Sequence, residues 1–134
     1  MTNIYSVGFV FLPTIAIIIL VHEYVFLNNE IIAAKDAEIK VLSAALLYGK
    51  GVFTTIAIYS GQHFFWEKHW SRLEQNAKKL NINLSEFTEH QIKNGLAEII
   101  QKNGVSGGRA RITFFEESAS EIWSVATTER TSFL

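Results

Sequence analysis

The sequence predicts an α+β fold: an antiparallel sheet of hairpins packed by two main helices. Three observations carry that prediction. Apolar runs rich in β-branched and aromatic residues flank the turn pairs Asn28-Asn29 and Ser60-Gly61. Two stretches, 66–80 and 88–104, repeat apolar residues at spacings of three and four. After the second, an alternating segment sets arginines on one face of a strand.

Residues 1–22 stand apart from that pattern. Positions 7–21 carry no charge, but the run is shorter than the roughly 20 apolar residues a spanning helix needs. No Lys or Arg precedes it, so the basic region of a signal peptide is missing. Pro13 interrupts a helix there, and the isoleucines after it are β-branched. Three readings stand open: a membrane anchor through 7–21, an unusual buried strand or helix, and a non-native extension upstream of the true start. The expectation is that 23–134 carry the fold and 1–22 contribute little.

From there the elements follow in order. Residues 23–32 are two apolar runs around Asn28-Asn29, a hairpin, because Asn tolerates the positive φ of a tight turn. Residues 41–51 read as a short helical turn ending in glycines. Residues 52–66 read as strand, Ser60-Gly61 turn and strand. In the first helix Trp66, Trp70, Leu73, Ala77 and Leu80 form the buried stripe. His69, Arg72 and Asn76 form a strip along its flank, while Lys68, Gln75 and Lys79 point outward. In the second helix Thr88 caps with Gln91 three residues on, Ile92, Leu96, Ile99 and Ile100 face the core, and Asn103-Gly104 stops the chain. Gly107-Gly108 is expected to turn into a strand over 109–118, with Arg109, Arg111 and Thr113 on one face and Ala110, Ile112 and Phe114 on the other. Residues 121–134 read as one or two further strands. The chain stops in apolar residues with no closing helix, which points to a C-terminal truncation.

Composition narrows the chemistry. The 134 residues suffice for one domain. A net charge of -1 gives no basic excess, hence no nucleic-acid partner. The absence of cysteine excludes disulfides and thiolate metal sites. His22, His63, His69 and His90 lack metal-ligand spacing, and no phosphate-binding glycine loop is present. Two features remain. Arg72 is either a solvated helix residue with an aliphatic stem or an anion grip with two parallel hydrogen bonds. Arg109 and Arg111 are either a water-facing surface paired with Glu116, Glu117 or Glu121, or a carboxylate clamp. If both features face one cavity, a phosphorylated cofactor with an acidic substrate fits it.

The order of these features resembles the N-terminal domain of class IV aminotransferases, the fold type IV enzymes of pyridoxal phosphate. That family includes branched-chain and D-amino acid aminotransferases and aminodeoxychorismate lyase. Its pattern of Tyr-Gly-Asp-Gly turn, strand, hairpin and His-x-x-Arg-Leu helix is met by Tyr48-Gly49-Lys50-Gly51, the strand from Val52, Ser60-Gly61, and His69 to Leu73. Lys50 departs from the usual Asp. The run 51–55 looks slightly more like the lyase branch. The resemblance spans about residues 23–134. It implies that Arg72 holds the cofactor phosphate, that Phe53 faces the substrate side where the family often has Tyr, and that Arg111, with Arg109 beside it, lies near the substrate carboxylate. It implies an amino acid or 2-oxo acid as substrate, and a cytoplasmic location unless 7–21 anchor the chain.

The family's Schiff-base lysine belongs to a second domain. Lys35, Lys40, Lys50, Lys68, Lys78, Lys79, Lys93 and Lys102 do not match its position. The expectation is therefore a fragment with no catalytic residue of its own, prone to self-association. The alternative is a non-catalytic interaction domain that kept the fold.

Overall fold

A computed structural model describes residues 22–117 and 131–133. The uncharged run 7–21 and most of 118–134 lie outside the described residues, and with them the expectations on the leader and on most of the last strands.

Strands β1 (Tyr24–Leu27) and β2 (Glu30–Ala33) form an antiparallel hairpin. Asn28 and Asn29 both take positive φ, 50° and 69°, the geometry of a turn that matches strand twist. Helix α1 (Ala44–Tyr48) is capped by the Ser43 hydroxyl and ends on left-handed Gly49, as the glycines at its end predict.

The second sheet has the order β4-β3-β5-β6, where β3 is Gly51–Tyr59, β4 Gln62–His63, β5 Gly107–Glu116 and β6 Thr131–Phe133. All its pairs are antiparallel. Two sequence expectations change here. The hairpin after Ser60-Gly61 has a second strand of only two residues, because Phe65 turns left-handed at φ 55° and starts the helix. Gly107-Gly108 does not turn the chain; both residues pair with Tyr59 and Ile58, so β5 begins there and its full length lies against β3.

Helix α2 (Trp66–Lys79) and helix α3 (Glu89–Lys102) cover one face of this sheet. Alternation in β3 buries Val52, Thr54, Ile56 and Ile58 toward the helices, and Ile112 and Phe114 of β5 join them. Trp66, Trp70, Leu73 and Ala77 form the α2 stripe, with the two indoles stacked at 5.9 Å and Trp70 edge-on to Phe114 at 6.2 Å. Leu80 leaves the predicted stripe. The helix ends at Lys79, Asn81 turns left-handed, and Ile82 takes the core position while Leu80 is 47% exposed.

The Thr88–Gln91 capping box forms as its spacing predicts. Asn103 at the far end of α3 does more than stop the helix: it exchanges two hydrogen bonds with the Tyr24 backbone, at 2.9 and 3.1 Å. Those bonds and the Phe26 ring over Gly95 dock the β1–β2 hairpin on α3. A Cβ at Gly95 would stand 2.2 Å from the Phe26 ring.

Candidate functional site

One edge of β3 pairs with β5 along its length, whereas β4 covers the other edge only at Ile58 and Tyr59. Residues 51–55 are thus left as the wall of a groove. The opposite wall is the C-terminal half of α2, with Arg72, Asn76, Lys79 and Leu80. The groove measures about 610 Å³. Positions 72, 76 and 79 follow helical spacing, which brings one guanidinium, one amide and one ammonium to the same wall. Sequence reading placed Lys79 on the outer face. It is exposed, but it lines this groove, because the helix flank that carries Arg72 continues to its last turn.

The Arg72 guanidinium faces a buried partner. Its Nη2 donates to the Thr54 hydroxyl, and Thr54 is 1% exposed. His69 Nδ1 lies 2.7 Å from the same hydroxyl and 3.4 Å from Arg72 Nη2. Burial, and then the Arg72 charge, hold the His69 imidazole below its ordinary pKa of 6.5. Arg72 itself stays exposed on its open side.

Phe53 sits between this groove and the outer face of the sheet. It lines the groove and is 52% exposed. Arg111, opposite Thr55, lays its guanidinium 3.7 Å above the Phe53 ring centroid, within range of a cation–π contact. Arg109 stands opposite Ala57 on the same face. The alternation expected of Arg109, Arg111 and Thr113 against Ala110, Ile112 and Phe114 therefore holds. Glu116, named in the sequence reading as a partner for these arginines, is instead buried and paired with Lys50.

Arg72 lines the groove, and the two strand arginines are not among its lining. Arg109 and Arg111 border a second, apolar cavity of about 330 Å³ between β1, α3 and β5, walled by Tyr24, Phe26, Leu96 and Ile99. Phe53 is the link, lining the Arg72 groove while carrying Arg111 on its ring. Thr54 and Lys79 are the site residues that sequence reasoning missed. Thr54 was findable: period-two alternation buries it with Val52 and Ile56, and a buried hydroxyl needs a partner.

Residues 51–134 match the family described as amino-transferase class IV. The chain belongs to that family. The aminodeoxychorismate lyase of Bacillus subtilis (strain 168) is 32% identical over 88 residues, 66% of this chain and 30% of that protein. Among solved structures, the Escherichia coli branched-chain amino acid aminotransferase superposes with a TM-score of 0.75 at 24% identity, over 84% of this chain and 38% of that one. The T.th. branched-chain amino acid aminotransferase complexed with N-(5′-phosphopyridoxyl)-L-glutamate gives a TM-score of 0.70 at 20% identity, over 84% of this chain and 39% of that one. At these identities the structural matches establish the fold. The class IV chain spans about a third of the length of these relatives, and its antiparallel sheet with three helices is the N-terminal part of theirs.

Proposed function

We propose that this chain, over 23–134, is the small-domain part of a pyridoxal-phosphate-dependent class IV enzyme, and that the Arg72 groove holds the cofactor's phosphate. The observation that carries this reading is the donor set. Arg72, Asn76, Lys79 and Thr55 line one groove, Thr54 stands behind the guanidinium, and the described lining includes no carboxylate. A guanidinium already anchored on one side by Thr54 can give its remaining N–H groups to phosphate oxygens in the two-pronged manner. These residues fit a phosphate group.

When bound, pyridoxal phosphate supplies the electron sink for bond cleavage at the substrate α-carbon. The chain's own residues hold the phosphate end and form one wall on the substrate side. Phe53 packs against the substrate, and Arg111, held on the Phe53 ring, offers its guanidinium to the carboxylate of an amino acid or 2-oxo acid, with Arg109 beside it. The full enzyme transfers an amino group between these, or acts as an aminodeoxychorismate lyase. None of the eight lysines here holds the cofactor covalently, so the chain alone is inactive.

The test is phosphorus NMR of pyridoxal phosphate added to the full chain, followed by borohydride reduction and adduct mapping. The phosphate line should move on adding parent chain and stay put with Arg72→Ala, while labelling scatters weakly over lysines. A single stoichiometric adduct at any lysine, Lys79 included, would contradict the reading.

A second reading, an interaction domain without catalysis, rests on a different observation. Phe53, Tyr59, Phe64 and Phe65 leave large apolar surface exposed, and uncovered patches of that kind mark interfaces. Self-association of the chain follows from either reading. Among the described residues no helix is long and apolar enough to cross a membrane; cytoplasmic residence is part of the proposal.

A further inference from the structure

The Thr54 hydroxyl is buried between two side chains of α2 one turn apart, His69 and Arg72. An arginine guanidinium can only donate, so the Thr54 oxygen accepts from Arg72 Nη2. The hydroxyl then has one proton to place, and the acceptor within reach is His69 Nδ1 at 2.7 Å. That assignment requires an unprotonated Nδ1, hence a neutral ring with its proton on Nε2.

We propose that Thr54 and His69 are positioning residues for the anion held by Arg72: Thr54 fixes the guanidinium at the groove, and His69, as its Nε2–H tautomer, fixes the Thr54 hydroxyl. This rests on the phosphate reading of Arg72 given above. A free arginine at a helix edge samples many rotamers, and immobilising one on binding lowers affinity. The chain from Arg72 through Thr54 to His69 orders the guanidinium beforehand. A doubly protonated His69 would point an N–H at the hydroxyl oxygen and set a second cation 3.4 Å from Arg72 Nη2. Arg72 is the charged group acting on His69 among the described residues, while β3 presents it with the uncharged Thr54. Burial and Arg72 both favour the neutral ring, in agreement with the geometry.

The test uses the full chain labelled with ¹⁵N. The His69 ring nitrogens are followed through a pH titration, and inorganic phosphate is then titrated into the parent, Thr54→Val, Thr54→Ser and Arg72→Ala. In the parent His69 should carry its proton on Nε2 and titrate below 6.5. Thr54→Val should raise that midpoint and mix the tautomers, since Nδ1 loses its donor. It should also weaken phosphate binding about three- to tenfold, the scale of ordering one long side chain. Thr54→Ser should restore all three. Thr54→Val with the parental tautomer, midpoint and phosphate affinity overturns the proposal. If that variant does not fold, His69→Gln takes its place, and parental phosphate affinity there overturns it equally. Phosphate that leaves parent and Arg72→Ala alike unperturbed, with the His69 response intact, overturns the anion reading instead.

Discussion

At the scale of the residue, position 50 ties the start of the sheet to its neighbouring strand: Lys50 pairs with the buried Glu116 across the start of β3. Lys50→Ala should destabilise the chain by about 1–3 kcal/mol, the scale for removing a partner from a buried polar group. Lys50→Asp should cost more, because it sets two carboxylates together, and adding Glu116→Lys should recover part of the loss. Urea midpoints of the four proteins check this. Histidines give a second prediction at this scale. Burial depresses His69, with Arg72 adding to it, and depresses His63, with Lys93 adding to it. The His63 Nδ1 is buried with no hydrogen-bond partner among the described residues. Both rings bind protons less readily folded than unfolded, so below 6.5 the unfolded chain takes up more of them. Stability should be full above 6.5 and fall as pH drops from there toward the lowered folded values. Urea midpoints followed downward from about pH 7.5 should show that slope, flattened in His63→Gln and His69→Gln. Spacing put His69 and Arg72 on one helix flank in sequence, but left Arg72 either a solvated residue or an anion grip. Lys79's place was not readable, because a helical wheel sorts residues by angle and cannot show that the C-terminal end of α2 overhangs a strand edge left unpaired among the described residues.

At the scale of the element, turn chemistry was the most readable layer. Asn28-Asn29, Ser60-Gly61, Gly49 and Thr88 all act as their side chains dictate, since each effect is confined to a few consecutive residues. Strand extent was less readable. Gly107-Gly108 looks like a turn from local propensity, yet both glycines pair with the long β3 in the ladder. Gly95 is a further case where a neighbour outweighs propensity. Alanine is better than glycine in a helix interior by about 1 kcal/mol, so local reasoning expects Gly95→Ala to stabilise α3. The Phe26 ring occupies the space its methyl needs. We expect Gly95→Ala to destabilise the chain by about 1–3 kcal/mol, the usual cost of overpacking, and to loosen the β1–β2 hairpin. Phe26→Leu combined with Gly95→Ala should cost less than the two changes summed, a coupling that thermal unfolding of the double-mutant cycle measures.

At the scale of the whole molecule, the two faces of the sheet differ in burial. The helix-side face holds the core, where Leu73 and Ile56 are fully buried, and Leu73→Ala should cost about 2–5 kcal/mol. The outer face leaves Phe53, Tyr59, Arg109 and Arg111 exposed. Fold class was legible because alternation and helical period separate those faces from sequence alone. The relation of the two arginine features was not, since it depends on which strand edges are covered. The proposed boundary at residue 23 predicts that removing 1–22 leaves thermal unfolding of the domain little changed; loss of folding would place residues 7–21 in the core. Sedimentation of the full chain should show self-association, lessened when Phe53 and Tyr59 are both replaced by Ser.

The central claim is that Arg72 holds the cofactor phosphate, and it is tested most directly once the remainder of a class IV relative is supplied. The chain is mixed with the separately expressed C-terminal remainder of the Bacillus subtilis aminodeoxychorismate lyase, and pyridoxal phosphate affinity is measured by calorimetry. Arg72→Ala should weaken binding by about 2–5 kcal/mol, as expected for removing one partner of a buried hydrogen-bonded charge pair. Arg72→Lys should recover only part of that, since an ammonium lacks the two-pronged geometry. Lys78→Ala, on the exposed face of α2 and outside the groove lining, should change little. Cofactor bound as tightly by Arg72→Ala as by the parent complex would contradict the account and leave Arg72 a solvated helix residue.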